Sequence, residues 1–83
     1  MKEILLYSAS WCGACKSMRE WFFSIEIPGI LFRYIDIEQE PDGSISSLPT
    51  IVFKEHGQEV NRITGAMGKH DLIKKINLIF GSE

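Results

Sequence analysis

The hydrophobic pattern changes its period twice in the first half of the chain, and this limits the chain to a few folds. Residues 3–8 form a short apolar run that is typical of a buried strand. From position 15 the period is helical, and one face carries Met18, Trp21, Phe22 and Ile25. Pro28-Gly29 ends this segment, and the aromatic and branched residues of 30–37 predict a second strand. The resulting β-α-β order predicts two parallel strands joined by a right-handed crossover.

The second half of the chain predicts a hairpin followed by a helix. Residues 50–55 and 58–64 are strand-like, and the compact turn His56-Gly57 between them favours antiparallel pairing. One face of a closing helix carries Leu72, Ile73, Ile76, Ile79 and Phe80. Only residues 43–48 separate an acidic turn from Pro49, so at most one helical turn fits there. We therefore predict an α/β fold, β-α-β followed by β-β-α, with a four-stranded mixed sheet flanked by helices.

Length and charge exclude several functions. A core built from 83 residues does not divide, so we expect a single soluble domain over residues 1–83, and a monomer. Nine basic against eleven acidic residues give a net charge of −2 with no basic block, so we expect no nucleic-acid binding. The acidic stretch of Asp36, Glu38, Glu40 and Asp42 is interpreted as a solvated rim. The apolar run of residues 4–7 is too short for a signal peptide or a membrane span, so we expect a cytoplasmic location.

The two cysteines, Cys12 and Cys15, lie where the first strand passes into the first helix. A secreted disulfide scaffold normally carries four or more, so these two need another explanation. We expect Cys12 to be the exposed sulfur at the start of this helix. Because the N-terminus of a helix favours a thiolate, we expect its pKa to be lowered. Cys15, three residues on, can come within disulfide range of it, and the small Gly13 and Ala14 leave the approach open. Cys12 can then attack a substrate disulfide, and Cys15 can release the mixed disulfide.

Three different interpretations stay open on the residues alone. A metal site within one chain would need His56 and His70, whose spacing matches no zinc-finger pattern. A cluster shared by two chains through Cys12 is the second, and a pair of inert buried cysteines is the third.

Pro49 would ordinarily be a trans proline that opens a strand.

Three motifs occur in order along the chain: Trp11-Cys12-Gly13-Ala14-Cys15-Lys16, Leu48-Pro49-Thr50 and Gly65-Ala66. Together they resemble the active-site signature, the cis-proline segment and the last-helix turn of the thioredoxin superfamily, with Ala14 in place of the proline of the signature. The resemblance implies a thioredoxin fold with a truncated second helix and a cis Leu48–Pro49 bond beside the dithiol. It also implies a substrate-docking surface formed by Trp11, Gly13, Ala14, Leu48, Pro49, Thr50, Gly65 and Ala66. Gly65 has no Cβ, which permits a partner backbone to approach closely.

Two departures from that family concern the reduction potential. Leu6 stands where thioredoxins carry a buried acid, so the proton acceptor for Cys15 is missing or replaced by water. Ala14 removes a restraint on the start of the helix. The expected potential therefore spans the range from about −270 mV for thioredoxin to about −200 mV for glutaredoxins. The chain has the size of a glutaredoxin, but its site residues are thioredoxin-like.

The combined prediction is a small thiol–disulfide oxidoreductase that reduces protein disulfides and serves electron transport and cell redox homeostasis. Cys12 attacks, Cys15 resolves, and Leu48 with Pro49 aligns the incoming disulfide. We expect no bound cofactor and no metal. The resemblance implies disulfide-containing client proteins and a flavoprotein donor of the thioredoxin-reductase type, with glutathione as the second choice of donor. The rival hypotheses are a glutathione-dependent glutaredoxin, a redox-independent binding module with an exposed Trp11 patch, and a cluster carrier.

Overall fold

The computed structural model describes residues 1–81 and arranges them in one sheet and two helices. The elements in chain order are β1 (Lys2–Ser8), α1 (Gly13–Phe22), β2 (Ile30–Asp36), β3 (Thr50–Glu55), β4 (Gln58–Thr64) and α2 (Lys69–Phe80). The strand order across the sheet is β2-β1-β3-β4. β1 and β2 are parallel, while β3 runs antiparallel to both β1 and β4. The predicted β-α-β and β-β-α order and the mixed four-stranded sheet are therefore confirmed.

The main core lies between the sheet and the two helices. Alternate residues of a strand face opposite sides of a sheet, and Ile4 and Leu6 of β1 both face the helices. Met18 and Phe22 of α1 and Leu72 and Ile76 of α2 bury their side chains against them. The predicted helical stripes are thus the core-facing sides of both helices.

The first helix is shorter than its sequence pattern predicts. α1 ends at Phe22, whereas the pattern continues through Ile25 towards Pro28. The chain tightens after Phe22, because the backbone N–H groups of Ser24 and Ile25 donate to carbonyls three residues earlier, at 3.0 and 3.4 Å. Ile25 is nevertheless buried in the main core, so its place in the apolar pattern reflects packing from a loop.

The opposite face of the sheet is covered by a segment without helical structure. Residues 37–49, between β2 and β3, consist of turns, bends and irregular backbone. Ile37, Ile45 and Leu48 of this segment pack on Leu5, Tyr7, Ile35 and Val52. This arrangement confirms the expected truncation of the second helix. The face is covered by apolar side chains of an irregular segment.

The strand register brings three chain segments together at one end of the sheet. Thr50, at the start of β3, pairs with Tyr7 near the end of β1 and with Thr64 at the end of β4. The residues that follow β1, precede β3 and follow β4 therefore meet at this end. The hairpin turn at His56-Gly57 lies at the opposite end, where β1 residue Lys2 pairs with Glu55. In residues 1–81, no helix is both long and apolar enough to cross a membrane.

Candidate active site

Cys12 forms the N-terminal cap of α1. Its backbone N–H donates to the carbonyl of Ala9 at 3.0 Å, which closes the turn that follows β1. The residue itself is extended, and the N–H of Cys15 donates to the Cys12 sulfur at 3.2 Å. A side-chain atom that accepts from the third residue of a helix is the usual capping arrangement of serine or aspartate. Here the capping atom is the sulfur that the sequence assigns as the nucleophile.

Cys12 and Cys15 are joined by a disulfide, and their Cα atoms are 5.3 Å apart. The predicted pairing within disulfide range is therefore confirmed. The expected exposure of Cys12 is wrong for this oxidised form, in which the residue is only 7% exposed. In this form Cys12 is bonded to Cys15, and its N–H is held in the turn with Ala9. Cys15 is fully buried, so Cys12 is the more accessible residue of the pair.

The surroundings of the pair favour a negative charge on the Cys12 sulfur. The unpaired N–H groups of the first helical turn carry the positive end of the helix dipole. The first turn of α1 contains no acidic side chain, and Lys16 follows Cys15 directly. A positive helix terminus and a basic side chain in the same helical turn favour the thiolate form of a cysteine. The arrangement therefore fits a cysteine that acts as a thiolate.

The second sulfur, that of Cys15, lies against the end of β1 beside an apolar position. The sulfur of Cys15 is 3.9 Å from the carbonyl oxygen of Tyr7 in β1. Leu6, the neighbouring residue, is fully buried among apolar side chains of the main core. The position where thioredoxins carry a buried acid is thus part of the hydrophobic core here.

One residue that the sequence analysis placed in a solvated rim contacts the active-site loop. The carboxylate of Glu38 accepts hydrogen bonds from the N–H of Ser10 at 3.2 Å and from its hydroxyl at 2.8 Å. Asp36 in turn accepts from the N–H of Glu38 at 2.9 Å. Glu38 thereby fixes the loop two residues before Cys12. The sequence signal was the placement of acids directly after β2, whose end pairs with the end of β1.

The cis-proline segment lies at the same end of the sheet as the disulfide. The Leu48–Pro49 bond is cis, as the resemblance implies. The carbonyl of Pro49 accepts from the N–H of Gly65 at 2.9 Å, and the hydroxyl of Thr50 donates to the carbonyl of Ser47 at 2.7 Å. Because Thr50 pairs with Tyr7, this segment stands beside the strand that Cys15 contacts. Leu48 is half-buried, whereas Pro49 and Thr50 are buried.

The remaining residues of the expected docking surface are accessible. Trp11 is 70% exposed, and Gly13 and Ala14 are exposed beside it on the first turn of α1. Gly65 and Ala66 are exposed after β4. Gly65 has φ of 104°, which disfavours any residue with a Cβ, and the space around its Cα is open. A partner chain could approach its backbone closely.

Neither histidine is in a position that indicates a metal site. His56 occupies the β3–β4 turn at the far end of the sheet, and its φ of 55° and that of Gly57, 81°, suit a tight hairpin. His70 is exposed in the first turn of α2. Within residues 1–81, no group of three or more His, Cys, Asp or Glu side chains could hold a metal ion. A metal site that combines His56 with the cysteines does not fit this geometry.

Comparison with protein families decides the assignment. The family model described as Thioredoxin matches residues 2–78. The chain belongs to the thioredoxin family. Members of this family are thiol–disulfide oxidoreductases, which is the class of enzyme that the sequence predicts. They act on disulfide-containing client proteins and are reduced by reductase partners.

The curated relatives agree with this assignment. A thioredoxin H-type from Populus jackii is 35% identical over 82 residues, which cover 92% of this chain and 58% of that protein. Thioredoxin from Chlamydia caviae is 32% identical over 77 residues, with 86% of this chain and 76% of that protein covered. The chain therefore spans a little over half of the poplar relative and about three quarters of the bacterial one.

Solved structures of thioredoxins superpose on this fold. A poplar thioredoxin h gives a TM-score of 0.83 at 33% identity, covering 99% of this chain and 78% of that one. Thioredoxin from Fasciola hepatica gives 0.82 at 28% identity, with 94% and 80% covered. The thioredoxin fold implied by the sequence motifs is thus confirmed.

Proposed function

We propose that this chain reduces protein disulfides by thiol–disulfide exchange through Cys12 and Cys15. One observation carries the proposal: the Cys12 sulfur caps the N-terminus of α1, accepts the N–H of Cys15, and is bonded to the Cys15 sulfur. The sulfur is thus placed where a thiolate is stabilised and where a second thiol can displace it.

The reaction starts from the reduced chain. The Cys12 thiolate attacks one sulfur of the client disulfide, that bond breaks, and the other client sulfur leaves as a thiolate that takes a proton. Cys15 then loses its proton to solvent and attacks the Cys12 sulfur, which releases the second client thiolate. Two electrons pass to the client, and the chain ends with the Cys12–Cys15 disulfide that the structure contains.

The docking surface of the proposal is the end of the sheet that carries the disulfide. Leu48 offers backbone hydrogen-bonding groups to an extended client segment, and Pro49 and Thr50 fix its position. Trp11 presents an apolar surface beside the sulfurs, with the small Gly13 and Ala14 leaving access open. Gly65 and Ala66 form the opposite border. Exposed aromatic and small residues around a reactive group suit a surface that accepts different clients.

The proposed partners follow from the family. We infer a flavoprotein reductase of the thioredoxin-reductase type as the electron donor, with glutathione as the alternative. Clients are proteins with accessible disulfides, and the chain acts as a monomer in the cytoplasm. Neither nucleic acid nor a membrane takes part in this reaction.

Insulin reduction tests the proposed function. The chain is assayed with NADPH and thioredoxin reductase, and in parallel with NADPH, glutathione and glutathione reductase. We expect insulin reduction in the first assay and its loss in the Cys12→Ser variant and in the variant with both cysteines replaced by serine. Insulin reduction in the glutathione assay only would overturn the choice of electron donor.

Two further outcomes would identify a binding module or a cluster carrier. If the variant lacking both cysteines kept the biological activity of the chain, the reductase proposal would be wrong and a binding module would be favoured. An iron-containing, coloured protein after anaerobic preparation would instead identify a cluster carrier.

A further inference from the structure

We propose that Arg62 is a positioning residue for client binding, because it holds the segment that leads into Leu48-Pro49 against the sheet. Arg62 lies on β4 and does not touch the disulfide. It acts through Ser44, which lies four residues before Leu48. This inference rests on the proposed function, in which Leu48 and Pro49 align the client disulfide.

Arg62 lies on the face of the sheet that lacks helices. Leu5 of β1 pairs with Arg33 of β2 on one side and with Val52 of β3 on the other. Val52 pairs in turn with Arg62. Residues that are directly opposite one another on paired strands share a face, so these four side chains form one row across the sheet. Leu5 and Val52 are the buried centre of the row, and an arginine stands at each edge.

The guanidinium of Arg62 is engaged on two sides. Its Nη1 donates to the carbonyl of Ser44 at 2.8 Å, and its Nη2 donates to the Ser44 hydroxyl at 3.2 Å. Its Nε and Nη2 donate to the two carboxylate oxygens of Glu59, each at 2.8 Å. A bidentate pair fixes the plane of the guanidinium as well as its position. The remaining donors are therefore aimed at Ser44.

Ser44 is also fixed from its other side. The carboxylate of Asp42 accepts from the N–H of Ser44 at 2.9 Å and from its hydroxyl at 2.7 Å. The N–H of Ile45 donates to the carbonyl of Asp42 at 3.1 Å. These hydrogen bonds close the turn on itself, so a contact that holds Ser44 positions the whole turn.

The turn leads directly into the docking surface. Ile45 and Leu48 pack on the helix-free face with Leu5 and Val52, and the carbonyl of Ser47 is bonded to Thr50. Within the described residues, the side-chain hydrogen bonds from residues 41–46 to a strand are those of Ser44 with Arg62. A segment without a helix has few backbone bonds to order it, so its position depends on such contacts. The hydrogen bonds of Arg62 thus hold in place a segment that has no helix to order its backbone.

The test compares Arg62→Met with Arg33→Met. Both changes remove an arginine from the same row of the sheet, but the Arg33 side chain makes no hydrogen bond or ion pair within residues 1–81, so this variant serves as the matched control. Each variant is assayed for insulin reduction with dithiothreitol as the reductant. In Arg62→Met we expect the KM for insulin to rise about fivefold or more with kcat nearly unchanged, since a displaced docking segment weakens client binding rather than chemistry. In Arg33→Met neither constant should move.

A small disulfide separates positioning from a general loss of structure. The rate of the reduced protein with 5,5′-dithiobis(2-nitrobenzoate) should be the same in all variants, because this compound does not need the docking segment. Hydrogen exchange of the amides of residues 42–48 should become faster in Arg62→Met only. Arg62→Lys keeps the charge but loses the planar fork, so its KM should fall between those of wild type and Arg62→Met. This variant also serves if Arg62→Met does not fold.

The outcomes distinguish this inference from the proposed function. Wild-type protein that reduces neither insulin nor the small disulfide would refute the proposed function. Active wild-type protein together with an unchanged KM in Arg62→Met, or an equal rise in KM in Arg33→Met, would overturn the positioning role of Arg62 alone. An equal loss of rate with the small disulfide would also overturn it, since the effect would then lie in the chemistry.

Discussion

The sulfur of Cys12 has two structural roles that reinforce each other. It caps α1 by accepting the N–H of Cys15, and it is the end of the disulfide that is less deeply buried. Reduction of that disulfide leaves the sulfur at the same helix N-terminus, where negative charge is favourable. Local structure and reactivity therefore depend on the same backbone geometry.

A charge change in the first turn of α1 tests this link. Lys16→Glu places a carboxylate in the first turn of α1, where it offsets the positive helix terminus and disfavours the Cys12 thiolate. We expect the pKa of Cys12 to rise by about 0.2–0.7 units, the equivalent of about 0.3–1 kcal/mol for a charge at a helix terminus. The rate of alkylation by iodoacetamide as a function of pH measures this value in the reduced protein.

Lys74→Glu is the control for this prediction. Lys74 is exposed on α2, so the variant makes the same change in net charge away from the sulfur. The pKa of Cys12 should stay at its wild-type value. Equal shifts in both variants would show that net charge, and not the helix terminus, sets the acidity of the thiol.

At the scale of elements, the sequence predicted the strands and helices that a hydrophobic pattern marks. It did not predict the contacts that side chains make between segments far apart in the chain. The strands β3 and β4 have the predicted bounds, because the compact turn at His56-Gly57 marks where the first strand ends and the second begins. The end of α1 was missed, since Ile25 keeps the helical spacing although it packs from a turn. The contact of Arg62 with Ser44 spans 18 positions, and no local pattern marks it. The low exposure of Cys12 was missed because it depends on packing that no local sequence pattern marks.

The hairpin turn predicts a difference between two glycines. Gly57 has φ of 81° with open space around it, so Gly57→Ala introduces backbone strain but no clash. We expect a loss of about 1–2 kcal/mol in the free energy of unfolding, measured by urea denaturation. Insulin reduction should be unchanged in the folded protein, because the turn lies at the end of the sheet away from the disulfide.

Gly43→Ala is the matched control for the hairpin. Gly43 also has open space around it but lies outside the left-handed region of φ. Because alanine restricts the unfolded chain, this variant should be neutral or more stable by up to about 1 kcal/mol. Equal destabilisation of both variants would contradict the strain at Gly57.

The ion pair on β4 predicts a dependence of stability on pH. Hydrogen bonding to the Arg62 guanidinium lowers the pKa of Glu59 in the folded chain. A lowered carboxyl pKa contributes stability above the unfolded value of about 4.3 and loses it as the pH falls through the folded value. The difference in unfolding free energy between wild type and Glu59→Gln should therefore be present at neutral pH and vanish in acid.

The magnitude of this effect is small because the pair is partly exposed. Side-chain exposures of 30% for Arg62 and 38% for Glu59 limit the expected difference to about 0.2–1 kcal/mol. Urea denaturation at several pH values measures it, and Glu55→Gln, on the neighbouring strand, is the control. A difference that persists unchanged in acid would contradict an ionic origin.

The two faces of the sheet are covered differently, one by two helices and the other by a segment without a helix. Two helices cover the first face and bury its core, whereas the segment of residues 37–49 covers the second without a helix. The segments that cover the two faces come together at the end of the sheet where β1 leads into Cys12 and Pro49 leads into β3. The disulfide is thus supported by the α1 side, and the expected docking surface by the helix-free side.

The central claim is that Cys12 attacks the client and Cys15 releases it. Mass spectrometry of the Cys15→Ser variant after mixing with insulin tests this claim most directly, with Cys12→Ser as the control. The account predicts a mixed disulfide between Cys12 and an insulin chain in the first variant and no adduct in the second. An adduct on Cys15 in the Cys12→Ser variant, or none on Cys12 in the Cys15→Ser variant, would contradict it.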